Sequence, residues 1–202
     1  MAEAEDASLR LQRYDEAEGE RRFKELLSRY PDDGMVYFKR GVAYEAIGRP
    51  ERAQEDYSQA EALFPMREWK NLAREGIKRC TIAVRLSKVP REVRAIWRDV
   101  VRMQDCPRRA RTMTARAAVE RTADLLTREL QLTARGVELK AKLATLGGSR
   151  KIDKRALDDM GLVKELGDAA AHGQDISDVQ AERCFEAVLR IIAFLTDQPW
   201  RR

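Results

Sequence analysis

A single histidine stands in this chain of 202 residues, and imidazole is the side chain whose charge changes nearest neutral pH. His172 closes the run Val163-Lys164-Glu165-Leu166-Gly167-Asp168-Ala169-Ala170-Ala171-His172. Lys164, Asp168 and His172 recur at four-residue steps, so on a helix they share one face. That face would set a proton-transferring imidazole beside a carboxylate and an ammonium group, and these three are the residues expected to act if the chain is a catalyst. A structural role is the favoured alternative. A histidine at a helix end, just before Gly173, can bond the terminal carbonyls and complement the helix dipole. Glu120 divides in the same way: it can pair with Arg116, four residues earlier, or with a basic group on a neighbouring helix.

Other chemistries are narrowed by what the sequence lacks. One histidine excludes a zinc or iron site built on two or more histidines within the chain. Cys80, Cys106 and Cys184 form no CxxC pair, and their odd number argues against a disulfide framework. No Walker loop, GxGxxG or GxSxG sequence occurs. No metal and no cofactor is therefore expected. Free thiols favour a reducing, cytoplasmic location. The apolar run Ile191 to Leu195 is far too short for a span, so no membrane partner is expected. The acidic start, Met1 to Asp6, does not suit a secretory signal.

The chain carries 39 basic and 34 acidic residues, but they are unevenly placed. Residues 1–33 hold ten acids and six bases, whereas residues 67–116 hold fifteen bases and five acids. Arg91, Arg94, Arg98 and Arg102 share one helical face, opposite Val93, Trp97 and Val100. Arg108, Arg109 and Arg111 follow, at the start of the next helix, where backbone N–H groups also favour an anion. These seven arginines are the candidate nucleic-acid contacts, of the salt-dependent and sequence-independent kind. An acidic protein face and a merely solvated surface are the other readings of the same charge.

These groups must be positioned by helices. Charged residues make up 36% and aromatics 6%, with only eleven glycines and six prolines, and no window alternates at period two. In the N-terminal third, Pro31 and Pro65, Phe23 and Tyr57, and Gly19 and Ala53 each lie 34 residues apart. Tyr37, Gly41 and Tyr44 fall on one face of a first helix ended at Gly48. Pro50 opens a second, which carries Ala53, Tyr57 and Ala60 and stops at Pro65. At Tyr37, Gly41, Tyr44, Gly48, Ala53, Tyr57, Ala60 and Pro65 this segment resembles the tetratricopeptide repeat family. Arg40 departs from it, standing where the family usually has Leu. In the preceding unit only the second helix fits, around Tyr14 to Tyr30. A helix from about Arg67, with Trp69, Leu72 and Ala73, reads as a cap. The resemblance implies a protein partner held in a groove around Tyr37, Arg40 and Tyr44; packing against the rest of the chain is the other use of such a unit.

Lys88-Val89-Pro90 marks a boundary, since the residue before proline leaves the α region. Helices are expected over about 91–102, 107–131, 137–148, 154–171 and from Ser177 onward, the last with Gln180 completing a capping box. The run from Val163 to His172 resembles the "Arg…Gly-Asn-x-Ala-Ala-His" signature of a bacterial domain of unknown function in the HEPN-like superfamily. Arg116-Ala117-Ala118-Val119-Glu120 resembles that family's "Arg-x-Ala-Leu-Glu", and Val89-Pro90 and Pro199 fit its ends. The resemblance covers about residues 88–199. It implies a helical bundle that pairs into a homodimer. In its catalytic members an Arg and a His cut RNA without metal at the dimer axis. Here Glu165 stands at the Arg position, with six residues between it and His172, and Asp168 stands at the Asn position. A carboxylate there repels a scissile phosphate.

The expected fold is all-α: a short tetratricopeptide-like repeat with a capping helix over residues 9–87, then an up-and-down HEPN-like bundle over 88–199. The favoured function is a non-catalytic adaptor that binds a protein partner through the repeat and nucleic acid through the basic face. The resemblance adds a place in a bacterial defence or toxin-type system. The alternative is a metal-independent endoribonuclease of the HEPN type.

Overall fold

The computed structural model describes residues 2–197 apart from 14, 104, 105 and 135. Every regular element among the described residues is a helix. The chain divides into two compact units, Met1–Val84 and Arg85–Arg202. Tyr14 and Pro199, which carried part of the sequence reading, lie outside the described residues.

The first unit holds α1 (Ala2–Arg13), α2 (Glu16–Arg29), α3 (Gly34–Ala46), α4 (Pro50–Leu63) and α5 (Arg67–Lys88), and the division between units falls within the last turns of α5. Helix starts are written in the sequence: the carboxylates of Asp15 and Asp33 accept from the Glu18 and Met35 N–H groups at 3.1 and 2.9 Å. Pro50 sits in the first turn of α4, where a missing N–H is harmless. Helix α1 begins ahead of the residue-9 start expected. Its inner face is Ala4, Ala7 and Leu11, all buried, and small residues give little hydropathic signal. Gly19 of α2 leaves room for the Leu11 backbone, so the two helices touch closely.

Tyr57 is the centre of this unit. It is fully buried, and its ring lies against Gly41 of α3 and Gly76 of α5; a Cβ at residue 76 would come within 2.6 Å of the ring. The Tyr57 hydroxyl donates to Glu45 Oε2 at 2.7 Å, and Arg79 grips the same carboxylate at 2.8 and 2.9 Å. Burial alone would raise the Glu45 carboxyl, but the bonds from Arg79 and Tyr57 outweigh it and hold it below the usual range. Phe38, Phe64 and Trp69 pack beside this centre in tilted and edge-on contacts, with ring centroids 5.7–6.2 Å apart. They join α5 to α3 and to the end of α4.

The second unit holds α6 (Arg91–Arg102), α7 (Arg108–Glu129), α8 (Leu139–Gly148), α9 (Lys154–Ala171) and α10 (Asp178–Asp197). Helix α7 packs against each of the other four. On α6, Val93, Trp97 and Val100 are buried, and the Trp97 Nε1–H donates to Thr122 Oγ1 of α7 at 2.9 Å, so the indole enters the core with its donor satisfied. The capping box at α10 is present: Gln180 Oε1 accepts from Ser177 N at 3.0 Å and Gln180 N donates to Ser177 Oγ at 3.3 Å. Val137 precedes α8 and is 86% exposed, and Val179, in the first turn of α10, is 67% exposed; each lies at a helix entrance, before the face turns toward the core.

Candidate functional site

The segments 116–120 and 163–172 meet where α7 packs on α9. Asp153 starts α9 by accepting from Ala156 N at 3.2 Å. From there Ala156, Met160, Val163 and Gly167 run down the buried side. At Gly167 the helices approach so closely that a Cβ would overlap the Arg116 side chain. The Arg116 stem crosses that gap and carries its guanidinium to Asp168. There Arg116 Nε donates to Asp168 Oδ1, while Lys164 Nζ donates to Asp168 Oδ2 at 2.6 Å. On its other edge Arg116 Nη1 reaches Glu120 Oε2 at 3.3 Å.

Each oxygen of one carboxylate is thus taken by a different cation. The bond from Lys164 lowers the Asp168 carboxyl most, burial pushes it back up, and with the bond from Arg116 it is held below its usual range. The four side chains line a cleft of about 470 Å³ with Val137, Glu138, Leu139 and Lys140. The sequence pattern paired Lys164 with Asp168 and Arg116 with Glu120, but the bond from Arg116 to Asp168 crosses 52 residues and no local spacing announces it. Gly167 was the one visible hint.

His172 does not join this cluster. It is the residue after α9, its backbone N–H bonds Asp168 O at 3.0 Å, and among the described residues its exposed ring takes no hydrogen bond or ion pair. Glu165 is exposed to solvent. The following turn, Gly173–Ile176, forms a second cleft of about 670 Å³ with Cys106, Pro107, Arg108 and Arg109.

The seven candidate arginines separate into two groups. Arg94 folds back on the Val89 carbonyl with bonds of 2.9 and 3.0 Å. Arg108 pairs with Asp178 at 2.6 Å, and Arg111 lies over the Phe185 ring at 5.9 Å. Those three serve the fold of the bundle. Arg91, Arg98, Arg102 and Arg109 are exposed and make no ion pair among the described residues. The first three project from one narrow stripe of α6, opposite its buried side.

In the first unit, Arg40 turns toward α4. Its Nε and Nη2 meet the buried Asp56 carboxylate at 2.7 and 2.6 Å, and the guanidinium lies between the rings of Tyr37 and Tyr44 at 5.8 and 5.9 Å. Tyr44 is itself buried, with Arg52 over its ring. Asp56 is the partner that sequence reasoning missed; it lies 16 residues from Arg40, one helix away. Tyr37 remains half-exposed.

Among the described residues there is no cluster of three or more His, Cys, Asp or Glu able to hold a metal. Burial pushes the Cys80 and Cys184 thiols up to about 11, so neither is a thiolate at neutral pH, and Cys106 is exposed. No described helix is long and apolar enough to cross a membrane. Comparison of the chain with protein families, with characterised proteins and with solved structures found no match.

Proposed function

We propose that the chain is a non-catalytic adaptor: a tetratricopeptide-like unit that holds a protein partner, joined to a HEPN-like bundle that dimerises and contacts nucleic acid through an arginine stripe. The observation that carries this reading is the double clamp on Asp168. A general base must be free to take a proton. Asp168 is bound by both Lys164 and Arg116, which leaves His172 without a neighbouring base as catalytic companion. Exposed Arg91, Arg98 and Arg102 supply the nucleic-acid half of the reading, and half-exposed Tyr37 offers an aromatic contact to a protein. The HEPN-like segments suggest a bacterial defence or toxin-type setting.

The endoribonuclease alternative draws on one feature. His172 is exposed, and the residue after it, Gly173, lines the cleft that also holds Arg109. Incubating the purified chain with labelled RNA in EDTA, beside His172→Ala, separates the two. The adaptor reading expects intact RNA together with binding that weakens as salt rises. Replacing both Arg98 and Arg102 by Ala should reduce the single-strand salt slope by about 1.4, at roughly 0.7 per phosphate contact. Cleavage that disappears in His172→Ala would replace the adaptor by the nuclease. Intact RNA with no salt-dependent binding would remove the nucleic-acid half and leave the protein partner.

A further inference from the structure

We propose that Arg116 and Lys164 form a binding site for a phosphate monoester, and that Asp168 occupies this site as a built-in stand-in for the ligand. The inference rests on the α7–α9 cluster alone and holds whether or not the chain is an adaptor.

The arrangement has the parts of an anion site. A guanidinium from α7 and an ammonium from α9 converge on the two oxygens of a single group, which a forked donor and a point charge do for carboxylates and phosphates alike. The side chains are roughly two-thirds to four-fifths covered: Arg116 is 32% exposed and Lys164 22%. Partial burial strengthens charge pairing relative to open water. A third cation, Lys140, lines the same cleft beside the carboxylates of Glu120 and Glu138, and the cleft is open enough to admit a small ligand. The arginine is set rigidly, because its stem is wedged against Gly167.

The class of ligand follows from competition. Asp168 is tethered beside its partners, so its effective concentration is high. A free carboxylate offers the same charge and the same two oxygens without the tether, and loses. A phosphate monoester brings a charge of about −1.5 to −2 and three acceptor oxygens. It can outmatch the single charge of Asp168, and it can use Lys140 or the remaining Arg116 N–H groups with its third oxygen. A phosphodiester has only one charge and is the weaker competitor. Glu120, on the far edge of Arg116, keeps the guanidinium oriented when Asp168 is removed.

The test is calorimetric titration of the full chain with inorganic phosphate at constant ionic strength, comparing wild type, Asp168→Asn and Asp168→Asn/Lys164→Gln. Removing the carboxylate is expected to tighten phosphate binding by about tenfold or more, and removing Lys164 as well should cancel that gain. Circular dichroism confirms the fold of each variant, and Asp168→Ser gives the same gain should the Asn variant not fold. The proposal is overturned if wild type and the carboxylate-free variants bind phosphate equally, or if the gain survives loss of Lys164. An equal gain for a dinucleoside monophosphate would overturn the choice of monoester over diester.

Discussion

Arg40→Leu is the substitution that a tetratricopeptide pattern invites, and it should be among the most damaging in the first unit. Arg40 gives two bonds, at 2.7 and 2.6 Å, to Asp56, whose side chain is only 4% exposed. Burial raises the Asp56 carboxyl above its usual range and the bonds from Arg40 only partly offset this, so the ionised form depends on its partner. Leaving one buried charge unpaired costs about 3–5 kcal/mol. With a urea slope of about 1–3 kcal/mol per molar, the unfolding midpoint should fall by roughly 1–5 M. The loss should shrink as pH falls toward 4. A folded-state pKa above the unfolded one contributes stability at low pH and loses it as pH rises through the folded value. The double variant Arg40→Leu/Asp56→Leu replaces both charges by apolar groups and should return to within about 1 kcal/mol of wild type. Urea unfolding, with hydrogen exchange read in peptides from α3 and α4, measures all three. If Arg40→Leu unfolds at the wild-type midpoint, or if the double variant is as weak as the two single losses added together, the ion pair does not hold α3 to α4 and the account of Arg40 is wrong.

Three further outcomes follow from the bundle. Gly167→Ala should destabilise it by about 1–3 kcal/mol, because its new methyl overlaps the Arg116 stem and forces α7 from α9; an unchanged thermal midpoint would refute the close crossing. Thr122→Val leaves the buried Trp97 N–H without its acceptor and should cost about 1–3 kcal/mol in equilibrium unfolding, whereas Thr122→Ser keeps the hydroxyl and should recover most of the loss. Asp168 has a depressed carboxyl, so its contribution to stability is present above about pH 4, the ordinary carboxylate value, and is lost as pH falls through the lower folded value. Acid titrations of wild type and Asp168→Asn should therefore differ in slope below pH 4, and coincident slopes would show that the clamp adds nothing.

What the sequence disclosed and what it hid divide along one physical line. Local features were readable. The caps at Ser177, Pro50 and Gly48 act through neighbours within four residues, and the stripe of Arg91, Arg98 and Arg102 is set by the helix period against buried Trp97. Helix α1 escaped because Ala4 and Ala7 bury little area each, and its close contact with Gly19 is made at Leu11. The pairs that define the two candidate sites escaped for a different reason. Arg40 and Arg116 both look like accessible charges, since arginine is mostly exposed. Their partners, Asp56 and Asp168, come from other helices, and only packing decides that meeting. In both cases the residue that departs from the pattern the sequence resembles is the one engaged across helices: Arg40 meets a buried acid, and Asp168 meets two cations. A departure from a motif is thus best read by asking which opposite charge elsewhere in the chain it can reach. Changing Asp168 to Asn would bring the segment closer to the signature it resembles and, at the same time, free the two cations that Asp168 now occupies.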